Sequence, residues 1–281
     1  MNTVRSALAA ARALGLDRLD AQLLLAHVLG KPRAWLLAHD DEALGDEQAA
    51  RHAALCRERA DDVPLAYLTG EREFHGLPLA VGPGVLVPRP ETEHLVDWAL
   101  ECLQGRTAAR VVDLGTGSGA IALAIARACP QADVTAVERS PQALAIARGN
   151  GQKLGLVVQW RAGDWWQPLK GEQFDVVVSN PPYIAEGDAH LAALRHEPRS
   201  ALSAGADGLD DLRAIVEGAP SHLVAGGWLL LEHGYDQGAA VRALFGHPAW
   251  ASVGTRRDLA GLERCTGACL KSETTPESAG N

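Results

Sequence analysis

A chain of 281 residues, 47% hydrophobic and 22% charged, is long enough for one large domain and a small one, with the composition of a soluble globular protein. Its formal net charge of -9 argues against gripping nucleic acid mainly through phosphates, which needs clustered Lys and Arg, although a local basic groove stays open. No apolar run approaches the roughly 18 residues of a membrane span, and the five cysteines (Cys56, Cys102, Cys129, Cys265, Cys269) are scattered and odd in number, so neither a membrane nor a metal is an expected partner.

Residues 1–20 carry Arg5 and Arg12 with no acid before Asp17, as an organellar address would. The Leu/Ala spacing nevertheless runs on into AQLLLAHVLG without a cleavage-type site, which predicts a folded helix and a cytoplasmic protein. Apolar residues keep helical spacing through Leu8, Ala11, Leu14, Leu16, Leu23–Leu25, Val28 and Trp35–Leu37. Breaks at Gly15-Leu-Asp17, Gly30-Lys-Pro32 and His39-Asp-Asp-Glu42 divide them into several short helices. Residues 1–73 are therefore expected to form a small helical domain; with nine Lys/Arg and twelve Asp/Glu it is no basic arm. Packing accounts for most of its leucines, which leaves the outer face to choose a protein partner.

Over residues 74–88, FHGLPLAVGPGVLVP, short alternating apolar pieces between Gly76, Gly82-Pro83-Gly84 and Pro88 predict a β-hairpin linker. From 89 to 272 strand-like runs (ARVVDLG, ADVTAVE, VVQWRAG, FDVVVSN, GWLLLEH) alternate with helical patterns. That order predicts an α/β domain with a parallel sheet covered on both faces. WASVGTRRD and RCTGACL are joined too briefly for a helical crossover and are expected to pair antiparallel. Residues 273–281 have nothing apolar to bury and are expected to be disordered.

The first strand runs into Asp113-Leu-Gly115-Thr116-Gly117-Ser118-Gly119. Glycines there permit a tight turn and let a ligand approach the main chain, which points to a nucleotide-like ligand at the C-terminal sheet edge. A purely structural turn is the plainer alternative. The spacing G-x-G-x-G, not G-x-G-x-x-G, leans away from a pyrophosphate. Glu138 ends the next strand, nineteen residues past Gly119, where a carboxylate can accept from two ribose hydroxyls or simply face solvent. Asp164 and Trp165 follow the third strand and suit an adenine, the acid for its exocyclic amine and the indole for its face; Trp166 fits the core equally well.

The fourth strand delivers Asn180-Pro181-Pro182-Tyr183 to the same edge. Two consecutive prolines lock φ and remove two N–H donors, so the segment presents carbonyl oxygens in fixed directions. The Asn180 side-chain oxygen and the Pro181 main-chain oxygen can each accept one hydrogen of an NH2 group, and Tyr183 offers a flat face to a planar substrate. A planar nitrogen is a poor nucleophile; two fixed acceptors aim its lone pair and stabilise the positive charge that builds on it as it attacks an electrophile. Nothing in the segment suggests an oxyanion hole or a nucleophile–base pair.

Together these motifs resemble class I (Rossmann-like) methyltransferases. The runs PLAYLTGEREFHG (64–76), VPRPETE (87–93), DLGTGSGAIALA, SNPPYI, HEPRSAL, ADGLDDL and LEHGYDQG narrow the resemblance to the PrmC/HemK family, over residues 60–270. That resemblance implies transfer from S-adenosyl-L-methionine to the glutamine amide (N5) of the Gly-Gly-Gln motif in peptide chain release factors. By position it implies that Gly115, Thr116, Gly117, Ser118 and Gly119 line the amino-acid end of the cofactor. It implies Glu138 on the ribose, where the family more often shows Asp, Trp165 against the adenine, and Asn180 beside the cofactor. Asn180, Pro181, Pro182 and Tyr183 would hold the glutamine, with Arg89–Glu93 and Glu197-Pro198 framing the site. Alternatives are an adenine or guanine N-methyltransferase on nucleic acid, a glutamine of a ribosomal protein, and a non-catalytic cofactor-binding module.

Overall fold

The computed structural model describes residues 2–272, so the expectation for 273–281 lies outside the described residues. The chain divides into two compact units, one of residues up to 72 with 81–83, the other of 73–80 and everything from 84 onward.

In the smaller unit α1 (Val4–Ala13), α2 (Arg18–Leu29), α3 (Arg33–Ala38) and α4 (Asp46–Ala60) succeed one another at the breaks expected from the sequence, and a further break at 61–64 sets off α5 (Leu65–Thr69). The ends are chemically marked. Thr3 and Ser6 form a reciprocal cap at the start of α1, Asp17 accepts from Asp20 N at 2.8 Å at the start of α2, and Gly30 ends α2 at φ 61. The bundle buries two small apolar clusters, one around Val4, Leu25, Leu36 and Leu44, the other around Ala11, Leu16, Leu24 and Cys56.

A hairpin follows, β1 (Glu71–Phe74) and β2 (Leu77–Ala80), of which residues 73–80 belong to the larger unit. It turns on His75 and Gly76, both at positive φ (48 and 76), the geometry of a type I′ turn. The hairpin thus sits earlier than the predicted 74–88 linker, and residues 81–88 carry no strand. Leu77 and Leu79 bury into the larger core, and Asn150 holds the hairpin edge, accepting from Ala80 N at 2.7 Å and donating to Ala80 O at 3.0 Å.

The remainder runs α6 (Glu93–Leu103), β3 (Arg110–Leu114), α7 (Ala120–Ala128), β4 (Asp133–Glu138), α8 (Pro141–Leu154), β5 (Gln159–Ala162), β6 (Phe174–Ser179), α9 (Asp210–Gly218), β7 (Leu223–Glu232), α10 (Gly238–Leu244), β8 (Trp250–Arg257) and β9 (Glu263–Leu270). The sheet order is β5-β4-β3-β6-β7-β9-β8. Strands β3 to β7 are parallel, and β9 pairs antiparallel with both β7 and β8, as the short connection required. Alternation within each strand feeds two cores: Val111, Val176, Val178 and Leu230 face α6 and α7, while Val112, Val177, Leu229 and Leu231 face the side of α9 and α10. Among the described residues no helix is long and apolar enough to cross a membrane.

The order of strands fixes where a site can form. From β3 the chain steps outward through β4 to β5, then returns to lay β6 on the other side of β3. At such a reversal the connections leave in opposite directions and a crevice opens beyond the strand ends. The glycine loop leaves β3 and the Asn-Pro-Pro-Tyr segment leaves β6, so both flank that crevice.

Candidate active site

A cleft enclosing about 900 Å3, part of it open to solvent, lies at this edge, and Gly115–Ser118, Glu138, Trp165, Asn180 and Pro182 are among its walls. Gly115, Gly117 and Gly119 adopt φ of 73, 57 and 86, a left-handed backbone that glycine alone enters without steric cost. Gly115 is restricted a second time, because a Cβ there would stand 3.0 Å from the Trp165 ring. The loop is braced from below. Asp113 Oδ2 accepts from Thr116 Oγ1 at 2.6 Å and from Ala122 N at 3.2 Å. Complete burial pushes the Asp113 carboxyl up to about 7 against the pull of those two donors.

Glu138 reaches back from the end of β4. Its Oε2 accepts from Gly117 N at 2.9 Å and its Oε1 from Ser140 N at 2.8 Å. Each oxygen keeps a second lone pair, so the carboxylate can brace the loop and still accept from a ligand hydroxyl. The two tryptophans separate. Trp165 lines the cleft at φ 42, its ring against Gly115, and its side chain interacts with Asp211, whose carboxyl is raised chiefly by burial. Trp166 stacks on His222 with centroids 4.7 Å apart and packs into the core beside α9, where a Cβ on Gly218 would meet it at 2.2 Å. Asp164 lines the cleft with its side chain half exposed, 4.0 Å from Arg139.

Ser179 Oγ donates to Leu114 O at 2.7 Å and ties the end of β6 to the end of β3, one residue before Asn180 and one before Gly115. The Asn180 Nδ2 donates to Thr92 Oγ1 at 3.2 Å, while its Oδ1 is buried with no partner among the described residues. A buried carbonyl oxygen without a donor is uncommon and marks a place for one. Pro181 and Pro182 are buried, and Pro182 faces the cleft. Tyr183 is anchored more deeply: its N donates to Leu202 O at 3.2 Å, its O accepts from Gln237 Nε2 at 2.9 Å, and its hydroxyl lies 3.5 Å from Glu232 Oε1. Burial raises that phenol. Arg89 pairs with the buried Glu197, which also accepts from Val87 N at 2.9 Å and so straps the segment ahead of α6 to the loop after β6.

Sequence reasoning did not single out Glu232. It ends β7 with its side chain fully buried, and burial pushes its carboxyl up to about 7. The sign was an acid at the end of Leu229-Leu230-Leu231, a run with no reason of its own to finish on a charge.

The chain matches the family model of the methyltransferase small domain over residues 96–210 and that of the PrmC N-terminal domain over 1–70. It is 52% identical to the release factor glutamine methyltransferase of Bordetella pertussis, over 91% of this chain and 96% of that one. Against its counterpart in Burkholderia pseudomallei it is 50% identical over 96% and 99%. A Thermus thermophilus 16S rRNA N2 G1207 methyltransferase (RsmC), solved with AdoMet and guanosine, shares the fold at 23% identity and TM-score 0.55, covering 72% of this chain and 50% of that one. The cofactor is S-adenosyl-L-methionine, and the cleft fits it: bare glycine backbone for close approach, a buried carboxylate with free lone pairs, and an indole wall. The chain belongs to the release factor glutamine methyltransferase family.

Proposed function

We propose that this enzyme methylates the side-chain amide nitrogen, N5, of the glutamine in the Gly-Gly-Gln motif of peptide chain release factors. The Oδ1 of Asn180, buried at the wall of the cofactor cleft with no partner among the described residues, carries the reading. When bound, S-adenosyl-L-methionine supplies an electrophilic methyl group on its sulfonium.

Gly115, Thr116, Gly117, Ser118 and Gly119 line its amino-acid end in this reading, Glu138 accepts from the ribose, and Trp165 covers the adenine. Asn180 Oδ1 and Pro181 O each take one hydrogen of the glutamine NH2, which fixes its plane and turns the nitrogen lone pair towards the donor. Pro182 holds the segment rigid, and Tyr183 offers its ring to the amide. Positive charge develops on the nitrogen as the bond forms, and the two oxygen dipoles, already in place, stabilise it without reorganising. The nitrogen becomes acidic as it gains carbon, so its proton leaves to solvent without a strong base.

The helical unit docks the release factor by its outer face. Its excess of acids over bases (twelve against nine in residues 1–73) suits a protein partner better than nucleic acid, and neither nucleic acid nor membrane has a part in this reading. The reading places the enzyme in the cytoplasm, where release factors act.

Incubation with methyl-labelled cofactor and, in parallel, release factor, ribosomal proteins, DNA and RNA is the direct test. Label on the Gly-Gly-Gln peptide of the release factor is expected; label confined to a ribosomal protein or to nucleic acid would overturn the assignment.

A further inference from the structure

The Asn180 amide can stand either way round. Its oxygen and its NH2 group are alike in shape, so only hydrogen bonding tells the two orientations apart. In the structure Nδ2 donates to Thr92 Oγ1 and Oδ1 has no partner among the described residues. The alternative has Thr92 donate to Oδ1, which turns NH2 towards the substrate nitrogen and sets donor against donor. The choice therefore rests on where the single proton of the Thr92 hydroxyl goes.

Glu232 offers it a destination. The side chain of Thr92 interacts with the Glu232 carboxylate and favours its charged form, and Glu232 Oε2 is buried with no partner among the described residues. A carboxylate accepts and never donates. With the hydroxyl proton directed to Glu232, the hydroxyl oxygen must accept from Nδ2, and Oδ1 is left for the cleft. The same carboxylate lies 3.5 Å from the Tyr183 hydroxyl, so both ends of the Asn180–Tyr183 segment refer to it.

We propose that Glu232, acting through the Thr92 hydroxyl, sets the orientation of the Asn180 amide and is a positioning residue for methyl transfer. This rests on the reading that Asn180 Oδ1 takes a hydrogen from the substrate.

The orientation depends on charge. A protonated Glu232 can donate to Thr92 and reverse the chain of hydrogen bonds. The groups facing Glu232 are Glu91 and Thr92 ahead of α6, Tyr183 after β6, and Arg264 and Cys265 on β9. Burial raises the carboxyl to about 7, Glu91 adds to the rise, and Thr92, Arg264 and Tyr183 oppose it. Transfer requires the ionised form, so kcat is to increase as pH climbs through about 7 and level off above it.

The test measures kcat, KM, cofactor affinity by calorimetry and melting temperature for full-length Glu232→Gln, Thr92→Val, Thr92→Ser and the double variant Thr92→Val/Glu232→Gln. Glu232→Gln is expected to lower kcat about tenfold, with cofactor affinity within about threefold, and to flatten the pH profile near neutrality. Thr92→Ser restores most of what Thr92→Val loses. The double variant is no slower than Thr92→Val alone, because the carboxylate works through the hydroxyl. Losses that multiply in the double variant, or an unchanged pH profile in Glu232→Gln, overturn the proposal. Should Glu232→Gln fail to fold, the two Thr92 variants and the wild-type pH profile decide it. Asn180→Ala run alongside separates the two readings: if it spares transfer, the role of Asn180 itself falls. If it abolishes transfer while the Thr92 and Glu232 variants do not, only the positioning falls.

Discussion

Asn180 shows how far single residues can be read. Its type and neighbours announced an acceptor for an NH2 group, and its Oδ1 is buried with no partner among the described residues. Asn180→Ala is expected to abolish transfer nearly completely while cofactor affinity stays within a few-fold, checked by single-turnover methylation beside calorimetry; equal loss of both would place Asn180 in the cofactor pocket. Glu138 was legible only in part. A carboxylate at the end of β4 suggested a ligand, but its grip on Gly117 N and Ser140 N depends on how the loop folds back, which no spacing reveals. Glu138→Ala is therefore expected to weaken cofactor binding by tenfold or more and also to lower the melting temperature. Asp113 makes a pH prediction. Its carboxyl is raised to about 7 from roughly 3.9 in the unfolded chain, so the folded state holds the extra proton and loses stability as pH rises between those values. Removing the titration with Asp113→Asn should take away a slope on the order of 1 kcal/mol per pH unit in that window, read from urea unfolding at pH 5 and pH 8.

Among the elements, the central parallel strands were plain because they are apolar on both faces, as in Val111-Val112 and Val176-Val177-Val178. The helix α6 was not. It buries Leu95, Val96, Trp98, Ala99 and Leu103, but no glycine loop or signature tetrapeptide lies within it to draw attention. The hairpin limits differ from the expected 74–88 for a physical reason: Gly82-Pro83-Gly84 looks like the stronger turn, yet the chain reverses at His75-Gly76. What docks the hairpin is a side chain distant in sequence. Asn150 is fully buried and bonds Ala80 N, Ala80 O and Ser118 O, linking hairpin and glycine loop to α8. Asn150→Ala leaves those groups unmet and is expected to cost about 2–3 kcal/mol by chemical denaturation. A loss under about 0.5 kcal/mol would show that water replaces the bonds freely.

For the molecule as a whole, the alternation of strands and helices foretold a parallel sheet, and the brief loop before β9 foretold its antiparallel edge. The partition of the chain was harder to foresee, since residues 81–83 group with the helical unit while residues 73–80 before them group with the other. Contacts distant in sequence decide that, and linear patterning does not carry them. If the helical unit selects the release factor, a chain beginning at residue 71 and shown to be folded should methylate the factor far more slowly than the full chain, yet bind cofactor normally. Equal rates would remove selection from that unit.

The two prolines after Asn180 have a further consequence. With no N–H at either position, and with the Asn180 Oδ1 beside them lacking a partner among the described residues, this segment of the cleft offers oxygens. A carboxylate brought there would meet like partial charges at the two points where the proposed reading holds the amide. Deamidation of the target would therefore be self-excluding: a release factor carrying glutamate in place of the glutamine is expected neither to be alkylated nor to compete with the intact factor.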